Sequence, residues 1–410
     1  MNSIMKNGFK KTGLAVICSM TLLMTACNDD DDDKFVGFNP VKTYTVDDEV
    51  RTVVDRHDIF TYNMESVQGK NIRATTLVFT PKGTPPMGGW PIVVWAHGTT
   101  GAADKCAPSR LPLTGEEKAL VMKLVERGYA VIAPDYEGLG NDNEPHPYLH
   151  LESAANSILS AVSEAKKYYG NVLANEWSVV GWSQGGHAAL AAAEYSTKLA
   201  NFDYKGAVAI APASYLVDTL QYGMGVANNV ASPGTPEAIE AAKQIAGTLY
   251  GYAAIVSSGI KAEKPAFQYN QAFLNTKVPL AQAAEIECSP QVAKGFRDDI
   301  QSYIDKEGGT YATYQALQPE FNLDDDVKEY LDKNQPGQKP IPKRVYVFQG
   351  EMDTTVPAFI TVTKLFPQLL QVGAEIEQED LILDPEANHQ TIMTRNIGSI
   401  ADKVDDLMSE

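Results

Sequence analysis

Residues 179–188 read "VVGWSQGGHA". An apolar run stops at Gly181, Ser183 stands between two glycines, and an alanine-rich stretch follows at once. Val179 and Val180 favour a buried strand, and the alanines after Gly186 favour a helix. The chain must therefore turn from strand to helix within about three residues, with a hydroxyl at the apex. A turn that sharp crowds neighbouring backbone against any side chain at Gly181 or Gly185, and glycine removes the collision. The new helix also aims its unpaired N–H groups at the serine, which suits an anionic oxygen forming there.

A serine hydroxyl is a weak nucleophile near neutral pH and needs a base, which in turn needs an orienting carboxylate. Downstream of Ser183 the only histidines are His187 and His389. His187 lies one turn along the same helix, so its ring belongs beside the helix in a packing role. His389, in "PEANHQT" after the last apolar strand pattern, is the well-placed base. For the acid, "GEMDTTVP" (350–357) follows the strand "RVYVFQ", which favours Asp353 over its neighbours Glu351 and Asp384. The oxyanion donors expected of a strand-to-helix serine are the N–H of the next residue, Gln184, and one from an earlier loop. "HGTTG" (97–101) is that loop, with Thr99 preferred and Thr100 next. His97 is expected to brace it, and "PDYEGLG" (134–140) either shapes the wall of the site or carries structural side chains.

From residue 74 the chain alternates. "ATTLVFTP", "WPIVVWAHG", "YAVIAPD", "EWSVVGWS", "KGAVAIAPAS", "KRVYVFQGEMD" and "EDLILDPEANH" are strand patterns, separated by helical ones, and a last helix starts near Gln390. That pattern predicts an α/β fold with a mostly parallel, doubly wound sheet. Residues from about 215 to 340 break the rhythm with alanine-rich helical pieces and many prolines. They are expected to form an inserted helical cap over the carboxyl ends of the strands, where such sheets bind ligands. Within it "IAGTLYGYAAIVSSGI" (245–260) is either a lid that meets substrate or ordinary cap packing.

The amino terminus reads as an address. Lys6, Lys10 and Lys11 precede an apolar stretch from Leu14 to Ala26, too short to span a bilayer comfortably. Its end, "LLMTAC", resembles the lipobox of bacterial lipoprotein precursors, which would make Cys27 the acylated first residue of the mature chain. A plain signal peptide cut near Ala26 is the alternative. The expected organisation is a signal over 1–26, a lipidated cysteine and acidic tether ("NDDDDDK") over 27–40, and one catalytic domain over 41–410. Lipid at Cys27 would hold the protein on a membrane of the bacterial envelope without a transmembrane helix. Loss of the first 26 residues takes away three lysines and carries the formal charge from −18 to −21. Nucleic acid is excluded as a partner, because phosphate binding needs clustered cations. Cys106 and Cys288 remain in the exported chain; they form one disulfide or stay as two separate thiols.

Taken together, "HGTTG", "DKCAPS", "PDYEGLG", "GWSQGG", "GEMDTTVP" and the late "NHQT" resemble the secretory lipase family of α/β-hydrolases, the fungal lipase A type and its bacterial relatives. The likeness runs over roughly residues 75–400. It implies a carboxylic-ester hydrolase with a helical cap, in which Ser183, Asp353 and His389 serve as nucleophile, acid and base through an acyl-enzyme. Such a reaction needs no metal or cofactor, and its partner is an ester substrate, including lipid. The alternatives are a polysaccharide-directed acetyl or feruloyl esterase, a serine peptidase, and a non-catalytic surface-binding lipoprotein. Acyl length, alcohol moiety and oligomeric state are not specified by these residues.

Overall fold

Ile92, Val93, Val94, Trp95 and Ala96 are all buried, and they face alternately into two separate apolar clusters. A strand whose side chains alternate up and down needs both faces covered to read as a continuous apolar run. The computed structural model describes residues 40–140, 144–306 and 309–410. The expected signal, Cys27 and tether lie outside the described residues, apart from Pro40.

The strands are β1 (Val41–Thr43), β2 (Val54–Glu65), β3 (Asn71–Pro81), β4 (Trp90–Ala96), β5 (Ala130–Pro134), β6 (Leu173–Trp182), β7 (Asp203–Ile210), β8 (Val345–Gly350) and β9 (Leu381–Asp384). They form one 9-stranded sheet in the order β1-β2-β3-β5-β4-β6-β7-β8-β9. From β5 across to β9 every neighbouring pair is parallel, while β1, β2 and β3 are joined antiparallel at one edge. The predicted doubly wound, mostly parallel α/β sheet is therefore present. The antiparallel edge formed by β1 and β2 is an addition to the sequence reading. A short helix, α1 (Asp48–Val53), joins those two strands.

Helices cover both faces. α2 (Gly115–Glu126) packs on one, with Leu120, Leu124 and Val125 against Phe79 and Trp95. α3 (Leu151–Tyr169) and α4 (Gln184–Tyr195) pack on the other, where Ile158, Val162 and Leu190 meet Trp177 and Val179. α4 is buried along its whole length, and its alanines let it lie close to the strands on either side.

Between β7 and β8 the described residues add no strand to the sheet. They form α5 (Leu216–Ala231), α6 (Pro236–Glu263), α7 (Val278–Gln282), α8 (Ser289–Lys306) and α9 (Asp325–Lys333). This segment has its own apolar core around Tyr250, Phe267, Phe273, Phe296 and Tyr330. Cys288 is joined to Cys106 by a disulfide that closes a sequence separation of 182 residues. Beside it Ser289 N donates to Thr100 O at 2.8 Å, and Gly101 bridges Cys288. The helical segment is thus tied to the loop that follows β4. Beyond β8 come α10 (Ala358–Ile360), a π-turn over Thr361–Leu365, α11 (Phe366–Gln371) and, after β9, α12 (Thr391–Ser409). α12 returns to the α2 face through Ile392, Ile400 and Val404.

Candidate active site

Ser183 occupies the turn between β6 and α4 with φ 59° and ψ −114°. A non-glycine residue rarely adopts that conformation, and it holds here because the surroundings leave no other. A Cβ on Gly185 would come within 1.8 Å of Ala96 O, and one on Gly181 within 2.1 Å of Gly185 O. Ser183 N donates to Ile210 O at 2.8 Å, while Ser183 O accepts from His187 N at 3.1 Å and Ala213 N at 3.2 Å. Both ends of the serine's backbone are thereby fixed, and Oγ is the atom left to face the cleft.

His389 meets that hydroxyl, with Nε2 2.9 Å from Ser183 Oγ. On its other side Nδ1 lies 2.7 Å from Asp353 Oδ2. A carboxylate can only accept, so Nδ1 carries the proton and Nε2 is the acceptor for the serine O–H. Asp353 is held in turn by Thr355 N and Val356 N, both donating to Oδ1 at 2.8 Å. The loops that carry acid and imidazole are stitched to each other: Met352 N donates to Ala387 O at 2.9 Å and Glu351 N to Asp384 O at 3.0 Å. Trp182 fixes the imidazole from the elbow side. Its indole N–H donates to His389 O at 3.1 Å, and its ring lies 5.2 Å from the imidazole. All three groups, Ser183, Asp353 and His389, are buried.

The rivals are elsewhere. Glu351 is exposed. Asp384 accepts from Arg395 Nε at 2.8 Å and from Asn396 Nδ2 at 3.0 Å, and the Arg395 bond holds its pKa down at about 2.

Thr99 and Gln184 are the expected oxyanion donors. Neither backbone N–H has an acceptor among the described residues. His97 Nδ1 donates to Gly98 O at 2.7 Å, its ring packs 4.3 Å from Tyr136, and the Tyr136 hydroxyl donates to His97 O at 2.9 Å. Burial pushes the His97 pKa down to about 3, so the ring is a neutral brace. Thr100 turns its hydroxyl to a buried position with no partner among the described residues.

In "PDYEGLG" the structural alternative describes the two carboxylates. Asp135 accepts from Ser109 N at 3.0 Å and from Thr75 Oγ1, and Glu137 accepts from Val67 N at 2.8 Å and from Ser153 Oγ. Burial raises the Glu137 pKa to about 7. These side chains clamp backbone inside the molecule, because a buried carboxylate needs donors on every side, and they do not line the cavity at Ser183.

That cavity, about 90 Å³, is lined by Ser183 and by residues of the helical segment. Leu216, Leu220, Leu249, Val256, Ile260 and Phe321 make its walls almost wholly apolar. Several belong to the 245–260 stretch of α6, which both packs within the helical segment and faces the cavity. The sequence did not disclose Trp182 or Tyr148 as site residues. A signal existed for Tyr148 in "HPYLH", where rings recur at every second position.

A model described as the alpha/beta hydrolase family matches residues 93–396. A poly(3-hydroxyoctanoate) depolymerase from Pseudomonas fluorescens is 49% identical over 57 residues, 13% of this chain, and the match spans only 20% of that enzyme's length. The structure resembles the rice cell wall degrading esterase LipA from Xanthomonas oryzae with TM-score 0.65 and 20% identity, covering 90% of this chain and 97% of that one. It resembles Candida antarctica lipase A with TM-score 0.64 and 16% identity, covering 89% and 85% respectively. At such identities the structural likeness is one of fold.

His187 turns away from Ser183 Oγ and donates Nε2–H to Asn334 O at 2.9 Å. Burial lowers its pKa from 6.5 to about 4. The unfolded chain therefore takes up a proton near pH 6.5 that the folded chain refuses until about pH 4. The contribution of neutral His187 is complete above the upper value and drains as pH falls, by up to about 1.4 kcal/mol per pH unit. Urea unfolding of wild type and His187→Gln, repeated from neutral pH down to the acid end of that window, should give a shallower acid loss in the variant. Equal slopes would contradict the neutral, buried assignment.

Proposed function

The chain belongs to the alpha/beta hydrolase family, and on that premise we propose that it hydrolyses carboxylic esters of apolar acids through Ser183, His389 and Asp353. The observation that carries this reading is the unbroken hydrogen-bonded chain from Ser183 Oγ through His389 to Asp353. His389 Nε2 takes the serine proton as Oγ attacks the ester carbonyl. Asp353 stabilises the imidazolium that results. The carbonyl oxygen, now negative, turns to the N–H groups of Gln184 and Thr99. His389 then gives its proton to the leaving alkoxide, and an acyl-serine remains. Water enters, gives a proton to His389 and attacks the acyl carbon. The proton returns to Ser183 as the acid leaves.

The apolar cavity next to Ser183 suits an aliphatic acyl chain. The names of the relatives are consistent with ester chemistry, in an esterase, a lipase and a polyester depolymerase. The apolar lining beside Ser183 favours this reading over a polysaccharide acetyl or feruloyl esterase. The peptidase reading and the non-catalytic reading have no observation in their favour.

p-Nitrophenyl esters from acetate to decanoate test the proposal. Each methylene buried is worth at most about 0.8 kcal/mol, so kcat/KM should rise up to about 4-fold per carbon until the cavity is filled. Ser183→Ala should fold normally and lose turnover on every ester. Turnover surviving in that variant would refute the mechanism, and a sharp preference for acetate would refute the substrate class.

Attachment to a membrane of the bacterial envelope is proposed from the sequence of residues 14–27, with Cys27 as the acylated residue. Radiolabelled palmitate fed to expressing bacteria should label the wild-type chain and not Cys27→Ser. Label retained in the variant would place the lipid on another residue, and an unlabelled wild-type chain would reject the attachment.

A further inference from the structure

One face of α6 looks into the cavity at Ser183. Leu249, Tyr252, Ala253, Val256 and Ile260 follow one another at helical spacing and all line it. Four of these side chains are hydrocarbon, and the fifth brings a phenol. Among the described residues the Tyr252 hydroxyl has no hydrogen-bond partner. Nor is it sealed into packed interior, as the unpartnered Tyr204 hydroxyl is; its oxygen keeps open surface, and the space Tyr252 borders is the cavity. Burial, and after it the charge of Asp353, pushes the Tyr252 pKa up to about 12. Tyr252 in turn contributes to the raised pKa of Tyr148, which lines the same cavity. The phenol is therefore within electrostatic reach of both residues, on the Asp353 side of the space, and near neutral pH it keeps its proton and is a donor.

A lone O–H in an otherwise apolar wall constrains what can fill the space. A plain alkyl chain packed against it would leave a buried donor unpaired, whereas a chain with an oxygen at that point would accept from it. The oxygen has to be neutral, because Asp353 already sets a negative charge on that side and the apolar walls would not solvate another. Resting on the hydrolytic reading above, we infer that Tyr252 is a specificity-determining residue that donates to an oxygen on the acyl chain, so that the preferred substrates are esters of aliphatic acids bearing a hydroxyl. Leu216, Leu220, Leu249 and Phe321 still take the hydrocarbon part of the chain. The bonds made and broken are those of the ester hydrolysis already described, and the phenol proton stays on Tyr252 throughout.

The test pairs substrates with a variant. p-Nitrophenyl hexanoate is compared with its 2-hydroxy and 3-hydroxy counterparts on wild type and on Tyr252→Phe, which keeps the ring and removes only the oxygen. A hydroxyl changes the intrinsic reactivity of an ester, and comparing the two proteins cancels that effect. Wild type should favour one of the hydroxyesters over the plain ester, in kcat/KM, by about 10- to 100-fold more than Tyr252→Phe does. A purely structural tyrosine would slow all three esters by one factor and leave the preference where it was. Equal preferences in the two proteins, alongside a dead Ser183→Ala, overturn the inference and leave the hydrolytic reading standing. An active Ser183→Ala overturns both. Should Tyr252→Phe fail to fold, a wild-type preference no larger than the ratio of the same esters' base-catalysed hydrolysis rates overturns the inference.

Discussion

The site depends on a contact between two pieces of backbone, Gly185 against the carbonyl of Ala96, so close that a Cβ would reach 1.8 Å from the oxygen. Because β4 and the start of α4 touch there, the turn from β6 into α4 has no room to be an ordinary one. Ser183 is driven to positive φ, and its side chain faces outward from the end of the sheet. The same contact brings the residues after Ala96, namely His97 to Thr100, alongside the elbow. Ser183 and the loop after β4 are thus placed by one packing event, and the strain at Ser183 is balanced by a helix buried along its whole length.

Asp353 and His389 reach the serine by a second device, the edge of the sheet where β8 and β9 run parallel. Their following loops leave the same end, and the bonds from Met352 to Ala387 and from Glu351 to Asp384 make them one unit. Asp353, pinned by two backbone donors, has no freedom to swing away from His389. Trp182 closes the arrangement by linking the elbow directly to the histidine loop. Such over-determination is what preorganised catalysis requires, because reorganisation during the reaction would forfeit the electrostatic gain.

Much of this was legible in the sequence for identifiable reasons. Glycine spacing around Ser183 reports a steric demand that does not depend on distant partners. The alternation of β-branched runs with helical periods reports burial on two faces. Chain order then limited the base to His389. Other features were hidden because they are properties of contacts. β2 reads as polar, with Asp55, Arg56, His57 and Asp58 in succession, since an antiparallel strand near the edge leaves much of its length half-covered. Asp135 and Glu137 look like site carboxylates in a loop, and only the positions of Ser109, Val67 and Ser153 show them to be internal clamps. The Tyr148 hydroxyl bonds to that of Thr99, 49 residues away in sequence, a contact that no local pattern announces.

The central claim is that Ser183 is made nucleophilic by His389. It is tested most directly by treating the pure protein with an alkyl fluorophosphonate and locating the adduct by mass spectrometry of the digested chain. The account predicts one phosphonyl group per chain, on Ser183, with labelling slowed by orders of magnitude in His389→Ala. No adduct, an adduct on another residue, or equally fast labelling without the imidazole would contradict it.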